Sequence, residues 1–274
     1  MGFLIGGAVV AIVGVILWMV MGKKAGQSAH LDLTDTSTVS EVKENYDSIS
    51  GSMGSGNFTH FCELKGQAHS DQPLTAEQSN ESVVYYKSEV IHKYERLENK
   101  KDSQGNMQKK WVKKTDTVSE NEVWADGFGV KDATGFIAIN PKKSKLDTMQ
   151  LHSKFEKGEP NQSGLNIKLG GVSIGLGGGG NSNHRTIGYE YKEIGIKLGQ
   201  NLYVLGDAND RDGSLIMSKP TDKKYPFIVS TKSEDELQAG LGSAIKGYKI
   251  GAFVCFGLGG ALAVVGLLKM MSVF

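Results

Sequence analysis

Cysteine is nearly missing: only Cys62 and Cys255 occur in 274 residues. One lies between the apolar ends of the chain and the other inside the second apolar end, so no internal disulfide framework is available. An excess of either charge is missing as well. With 31 basic and 30 acidic residues, the formal charge is +1 and the isoelectric point is about 7.7. Nucleic acid is therefore excluded as the main partner, because a phosphate-binding surface shows as a clear basic excess. Catalytic signatures of the G-x-S-x-G or H-E-x-x-H kind are also lacking.

Three partial constellations occur. His60, Cys62 and His69 lie close in sequence, and strand alternation places His60 and Cys62 on one face. Three ligands without a second pair at zinc spacing are too few for a metal site, and Cys62, between Phe61 and Glu63, reads as a core thiol. Asp207, Asp210 and Asp212, followed by Gly213, begin like a calcium loop. The twelfth position falls on Ser218 where a glutamate is required, so a solvated turn is expected. In the glycine-rich tract, Gly175, Gly177 and Gly180 fit G-x-G-x-x-G. Asn181 stands where a P-loop needs lysine, however, and a strand pattern follows where a helix N-terminus would be needed. That tract, 161–185, is expected as an apolar hairpin through Ile167, Leu169, Val172, Ile174 and Leu176, covered by a bilayer or a second subunit. No catalytic, cofactor-binding or metal residue is assigned, and no cofactor is implied.

What the chain does have is an apolar segment at each end, Phe3 to Met21 and Ile250 to Leu268, each about nineteen residues and long enough to cross a hydrocarbon core. The first is preceded by no charge and closed by Lys23 and Lys24, the reverse of a cleavable signal, so a retained anchor is expected. Lys23, Lys24, Lys246 and Lys249 flank the inner ends and only Lys269 an outer end, which predicts a cytoplasmic domain. Small residues at four-residue spacing, Gly2 and Gly6, then Gly251, Cys255 and Gly259, predict that the spans pack on each other or across a homo-oligomer.

The organisation read from these patterns is an anchor at 1–24, a linker at 25–37, a β domain at 38–232, a juxtamembrane helix at 233–249 and a second anchor at 250–274. Thr38 to Met53 has helical spacing at Val39, Val42, Tyr46, Ile49 and Met53, with a capping box of Thr38 and Glu41. Nine short β runs follow, at Phe58 to Ala68, Ser82 to Tyr94, Lys109 to Val118, Val123 to Trp124, Gly129 to Val130, Phe136 to Ile139, Thr186 to Ile196, Asn201 to Leu205 and Leu215 to Ser218. Together they imply a mainly β, antiparallel sandwich or small barrel. A hairpin tip is expected between Arg96 and Trp111. Around it cluster Lys100, Lys101, Lys109, Lys110, Lys113 and Lys114, as a solvated hairpin or as a contact for acidic lipid headgroups. Ser233 and Glu236 form a second capping box, and Leu237, Leu241, Ile245 and Tyr248 share one helical face that runs into the second span without a breaker.

This order of pieces resembles the GIDE, or beside-a-membrane, family. The resemblance rests on Val83 to Tyr86, DATGFIAINP at Asp132 to Pro141, HRTIGYEYKEIGIKLGQNLYVLG at His184 to Gly206, and KKYPFIVSTKSEDEL before the second span. Eukaryotic members are RING-type ubiquitin ligases of mitochondria and chloroplasts, with the RING after the second span. A RING needs eight Cys or His ligands for two zinc ions, and the 2 cysteines and 6 histidines here form no such cluster. The resemblance therefore implies a non-enzymatic, prokaryotic-type form: a membrane-held β domain that binds protein or lipid. Ligase-related activity, or a hydrolase site hidden in the domain, is the alternative. The eukaryotic relatives hold this domain away from the cytosol, against which the lysines favour the cytoplasmic side.

Overall fold

The computed structural model describes residues 2–101, 103, 105–158, 167–169, 172–174 and 183–271. In chain order the elements are α1 (Gly2–Leu33), β1 (Thr36–Ser37), α2 (Val39–Met53), β2 (Thr59–His69), β3 (Leu74–Thr75), β4 (Ser82–Lys101) and β5 (Met107–Trp124). There follow β6 (Gly129–Lys131), β7 (Phe136–Ile139), β8 (Lys145–Asp147), β9 (Met149–Lys157), β10 (Ile167–Leu169) and β11 (Val172–Ile174). The chain closes with β12 (His184–Lys197), β13 (Asn201–Asn209), β14 (Ile216–Ser218), β15 (Ile228–Ser230) and α3 (Glu234–Met271). The class is the expected one, mainly antiparallel β with one short amphipathic helix and apolar helices at both ends. β1 runs parallel to β2 in the register Thr36↔Glu63.

Contacts divide the chain into two compact units, one of Met1–Lys65, Pro141–Lys145 and Tyr203–Phe274, the other of Gly66–Asn140 and Leu146–Leu202. In the first unit, α1 and α3 are both long and apolar enough to cross a membrane. Their 32 and 38 residues make rods of about 48 and 57 Å, longer than the ~30 Å of a bilayer core. Thus α1 continues through residues expected as linker and ends only at Leu33. The two helices touch through glycine. A Cβ built on Gly7 would lie 2.9 Å from the Gly259 carbonyl oxygen, the Phe256 ring fills the space at Gly14, and Leu4 fills that at Gly266. Trp18 meets Phe253 edge to face at 6.0 Å.

Gly251, Cys255 and Gly259 do face α1, through Leu17, Gly14 and Gly7. The partners expected on α1 need correction, because Gly2 and Gly6 have nothing within 4 Å of a built Cβ. On each helix the contacting glycines stand seven residues apart, Gly7 and Gly14 on α1, Gly259 and Gly266 on α3. That is close to two helical turns, so these glycines lie along one seam of each helix.

At their inner ends these helices enter the core of the same unit. Leu31 of α1 and Leu237 and Leu241 of α3 are buried with Tyr203 and Leu205 of β13 and Ile228 of β15. Both predicted capping boxes are present: Thr38 with Glu41 at the start of α2, and Ser233 with Glu236 at the start of α3. Val39 and Val42 are the buried positions of α2. β13 pairs with β15 through Tyr203–Leu205 and with β14 through Asp207–Asn209.

In the second unit, β4 lies between β5 and β12, and β12 pairs in turn with β9, all antiparallel. The hairpin is longer than its sequence suggested. Its strands run to Lys101 and Met107, past Arg96 and Trp111, because the ladder continues through Leu97↔Trp111 and Lys100↔Gln108. Lysine and asparagine are weak strand formers, but paired backbone groups override that preference. β6 pairs with the far end of β2 and with β7. In the glycine-rich tract β10 and β11 form the expected antiparallel hairpin, Ile167 opposite Ile174. Leu176, Gly175, Gly177, Gly180 and Asn181 lie outside the described residues.

Candidate functional site

The first unit holds a cleft of about 670 Å³ at the inner end of α1. The helix stops where the Thr34 hydroxyl donates to the His30 carbonyl at 2.6 Å, and β1 begins two residues later. That turn brings His30, Thr34, Asp35 and Ser37 opposite His60, Phe61 and Cys62 of β2, with Tyr225 closing one side. Three of its rings lie against one another: Tyr225 lies 5.0 Å from His30 and 4.5 Å from Phe61, ring centre to ring centre. Cys62 is buried, with its sulfur 4.0 Å from that of Met217. Burial pushes its thiol up to about 12, so only about one in 10⁵ is ionised at pH 7, and thiolate is the nucleophilic form. Among the described residues no hydrogen bond joins the imidazole of His30 or His60 to a hydroxyl, thiol or carboxylate. The cleft has binding surfaces, aromatic and polar, without the linked nucleophile and base of covalent catalysis.

The neighbouring residue on β2 is a buried acid. Glu63 is fully buried, and it accepts hydrogen bonds from the Tyr203 hydroxyl and the Thr36 hydroxyl, each at 2.6 Å. Lys65 supplies the charge, 2.8 Å from Glu63 and 2.8 Å from Glu234 in the first turn of α3. Burial alone would lower the Lys65 pKa, but Glu234 and Glu63 outweigh it and raise it above the usual lysine range. The tyrosine is also shifted upward, by burial first and by the Glu63 carboxylate second. A buried carboxylate is tolerable only when paired and hydrogen-bonded in this way.

The sequence candidates fall in several places. His60 and Cys62 share a face and both line the cleft, as alternation predicted. His69 belongs to the other unit, where it pairs with Asp71 at 3.2 Å and rests against Phe136. The aspartates are not a solvated turn: Asp207 and Asp210 are buried, and only Asp212 is exposed. Asp210 accepts the Gly56 and Phe58 amides at 2.6 and 2.9 Å, so both its oxygens are committed to anchoring the start of β2. Burial raises the Asp207 pKa against the lowering effects of the Thr221 amide and Arg211, whose guanidinium lies 3.1 Å away. Among the described residues no group of three His, Cys, Asp or Glu is placed to hold a metal. His30, Asp35 and Tyr225 were not foreseen, since they come from separate segments and carry no shared motif.

In comparison with known proteins, the GIDE family model, described as E3 ubiquitin ligase, matches residues 95–266, more than half of the chain. No curated protein and no solved structure matches.

Proposed function

The chain belongs to the GIDE family, and we propose that it is a two-span membrane protein whose β structure is a binding module for protein or lipid at the bilayer surface, facing the cytoplasm and performing no chemistry of its own. The observation that carries this reading is the shared core of Leu31, Leu237 and Leu241 with β13 and β15. Two apolar rods that enter the same core as the strands hold those strands at a lipid surface. The protonated Cys62 and the lack of a coupled nucleophile in the cleft support binding over catalysis. Full-length chain in isolated membranes should resist alkaline carbonate and come off only with detergent; release by carbonate alone overturns the reading. Purified with ubiquitin and its activating and conjugating enzymes, the chain should build no ubiquitin chains, and chain formation would replace the binding reading with ligase-related activity. A cysteine placed at Ser48, with Cys255→Ser, should react with an impermeant maleimide only after cells are opened. Labelling of intact cells would put the domain outside.

A hydrolase in the cleft is the second reading, favoured by His60 and Asp35 lining one cavity. Turnover of a model ester that disappears in His60→Ala would establish it.

A further inference from the structure

We propose that the outer half of the β4–β5 hairpin docks on an anionic lipid surface through one of its two faces. The two strands, 20 and 18 residues long, make a ribbon of about 65 Å. Side chains alternate between its faces, and the register assigns them. Lys101 stands opposite Met107, and Lys109, Trp111 and Lys113 follow on the same side of β5. Arg185 of β12 belongs to this face too, its guanidinium 4.0 Å above the Trp111 ring.

Lys101, Lys109 and Lys113 make no ion pair among the described residues, and Glu95 is the carboxylate that shares their face. The opposite face also carries cations, Lys100, Lys110 and Arg96, with its acids engaged, Glu98 with Lys114 at 2.8 Å and Asp116 with the Tyr94 hydroxyl at 2.8 Å. The first face is set apart by Met107 and the Trp111 ring standing among its cations. Met107 is 61% exposed, an apolar side chain set among cations with no cover. Lipid headgroups match this combination: phosphates meet the amines, while Trp111, Met107 and the lysine stems reach the boundary of the acyl chains. A nucleic acid would also meet the cations, but the two apolar helices supply a bilayer in the same molecule. The proposal rests on the anchored reading above.

The test uses full-length protein reconstituted in vesicles of phosphatidylcholine, alone or mixed with phosphatidylglycerol. Asn99→Cys, on the same face, carries an environment-sensitive fluorophore in a Cys255→Ser background, where buried Cys62 stays unlabelled. Nitroxide lipids should quench the probe in the anionic vesicles, not in the neutral ones, and high salt should reverse the quenching. Each lysine changed to glutamine in the series Lys101, Lys109, Lys113 should weaken docking, by about a hundredfold for all three. Retained far-ultraviolet circular dichroism shows that each variant is folded. Flotation of the vesicles reports anchoring separately, so loss of flotation refutes the anchored reading, while flotation with lipid-independent quenching refutes this one. Energy transfer between labelled copies, equal in both lipids, would assign the face to a second chain and overturn the proposal.

Discussion

Substituting Glu193→Gln should cost the β4–β12 unit about 3 kcal/mol, and the figure can be worked from its hydrogen bonds. The carboxylate is fully buried. One oxygen accepts the Gln78 amide at 3.0 Å and the Ser88 hydroxyl at 2.5 Å; the other accepts the Ser79 amide and hydroxyl at 2.9 and 2.6 Å. Glutamine keeps one accepting oxygen and turns an NH2 group toward the other pair. A serine hydroxyl can rotate and accept from that group, but a backbone N–H cannot. Either orientation leaves one buried amide facing a donor, worth roughly 1–3 kcal/mol, and removes the charge from the surviving bonds. At roughly 2–4 °C per kcal/mol, the midpoint falls by about 10 °C.

The pH dependence has a definite sign. Burial would push the Glu193 pKa up, but the Ser79 and Ser88 hydroxyls and the Gln78 and Ser79 amides outweigh it and hold it below the usual carboxylate range. A folded value below the unfolded ~4.3 gives stability that is complete above the unfolded pKa and disappears as pH falls through the folded one. Tryptophan fluorescence during heating of both proteins in detergent measures this. The gap between parent and variant should be full at pH 7 and close in acid. A loss below ~1 kcal/mol at neutral pH, or a gap that persists unchanged into strong acid, refutes the account.

Gly7→Leu should force the apolar helices apart, since even a Cβ there meets the Gly259 carbonyl oxygen at 2.9 Å; a disulfide engineered between Leu4→Cys and Gly266→Cys, in a Cys255→Ser background, should form in the parent and fail in the variant. Cys62 should ignore maleimide at pH 8 in the folded protein and react in denaturant, because burial holds its thiol at about 12. Rapid native labelling would show that the strand opens. Leu31→Ala should cost about 2–5 kcal/mol through the cavity left in a packed core, read as a lowered midpoint in a thermal melt. A loss no greater than that of an exposed control such as Leu33→Ala would remove Leu31 from the joint.

The sequence made the helices legible because each carries both a period and a cap. Thr38 with Glu41, and Ser233 with Glu236, are local signals, and the structure satisfies them locally. Strands were read where β-branched and aromatic residues alternate, as in Phe136–Ile139. They were missed where pairing alone sustains them. β9, with Lys154, Glu156 and Lys157 along Met149–Lys157, is a strand because β12 holds it by Tyr189↔Glu156 and its neighbours. Asp207 and Asp210 show the same limit from the polar side. Acid, asparagine and glycine in DANDRDG have the composition of an exposed turn, but partners distant in sequence, Gly56 and Phe58, draw Asp210 inside. The cleft was legible in His60 and Cys62, which share a strand, and illegible in His30 and Tyr225, which meet only through tertiary packing.

Only short connections join the apolar helices to the strands of their unit. α1 ends at Leu33 and β1 begins at Thr36; β15 ends at Ser230 and α3 begins at Glu234. These connections are far shorter than a flexible linker. Lys65 closes the arrangement, holding Glu63 on β2 and Glu234 on α3 with the same ammonium group. Breaking that contact would expose the charge imbalance of a buried carboxylate, so the helix cannot turn without a cost to β2. His60, Phe61 and Cys62, which wall the cleft, precede Glu63 on the same strand, so Lys65 ties the first turn of α3 to the strand that lines the cleft. The link joins side chains that the sequence scatters across 171 positions, from Glu63 to Glu234.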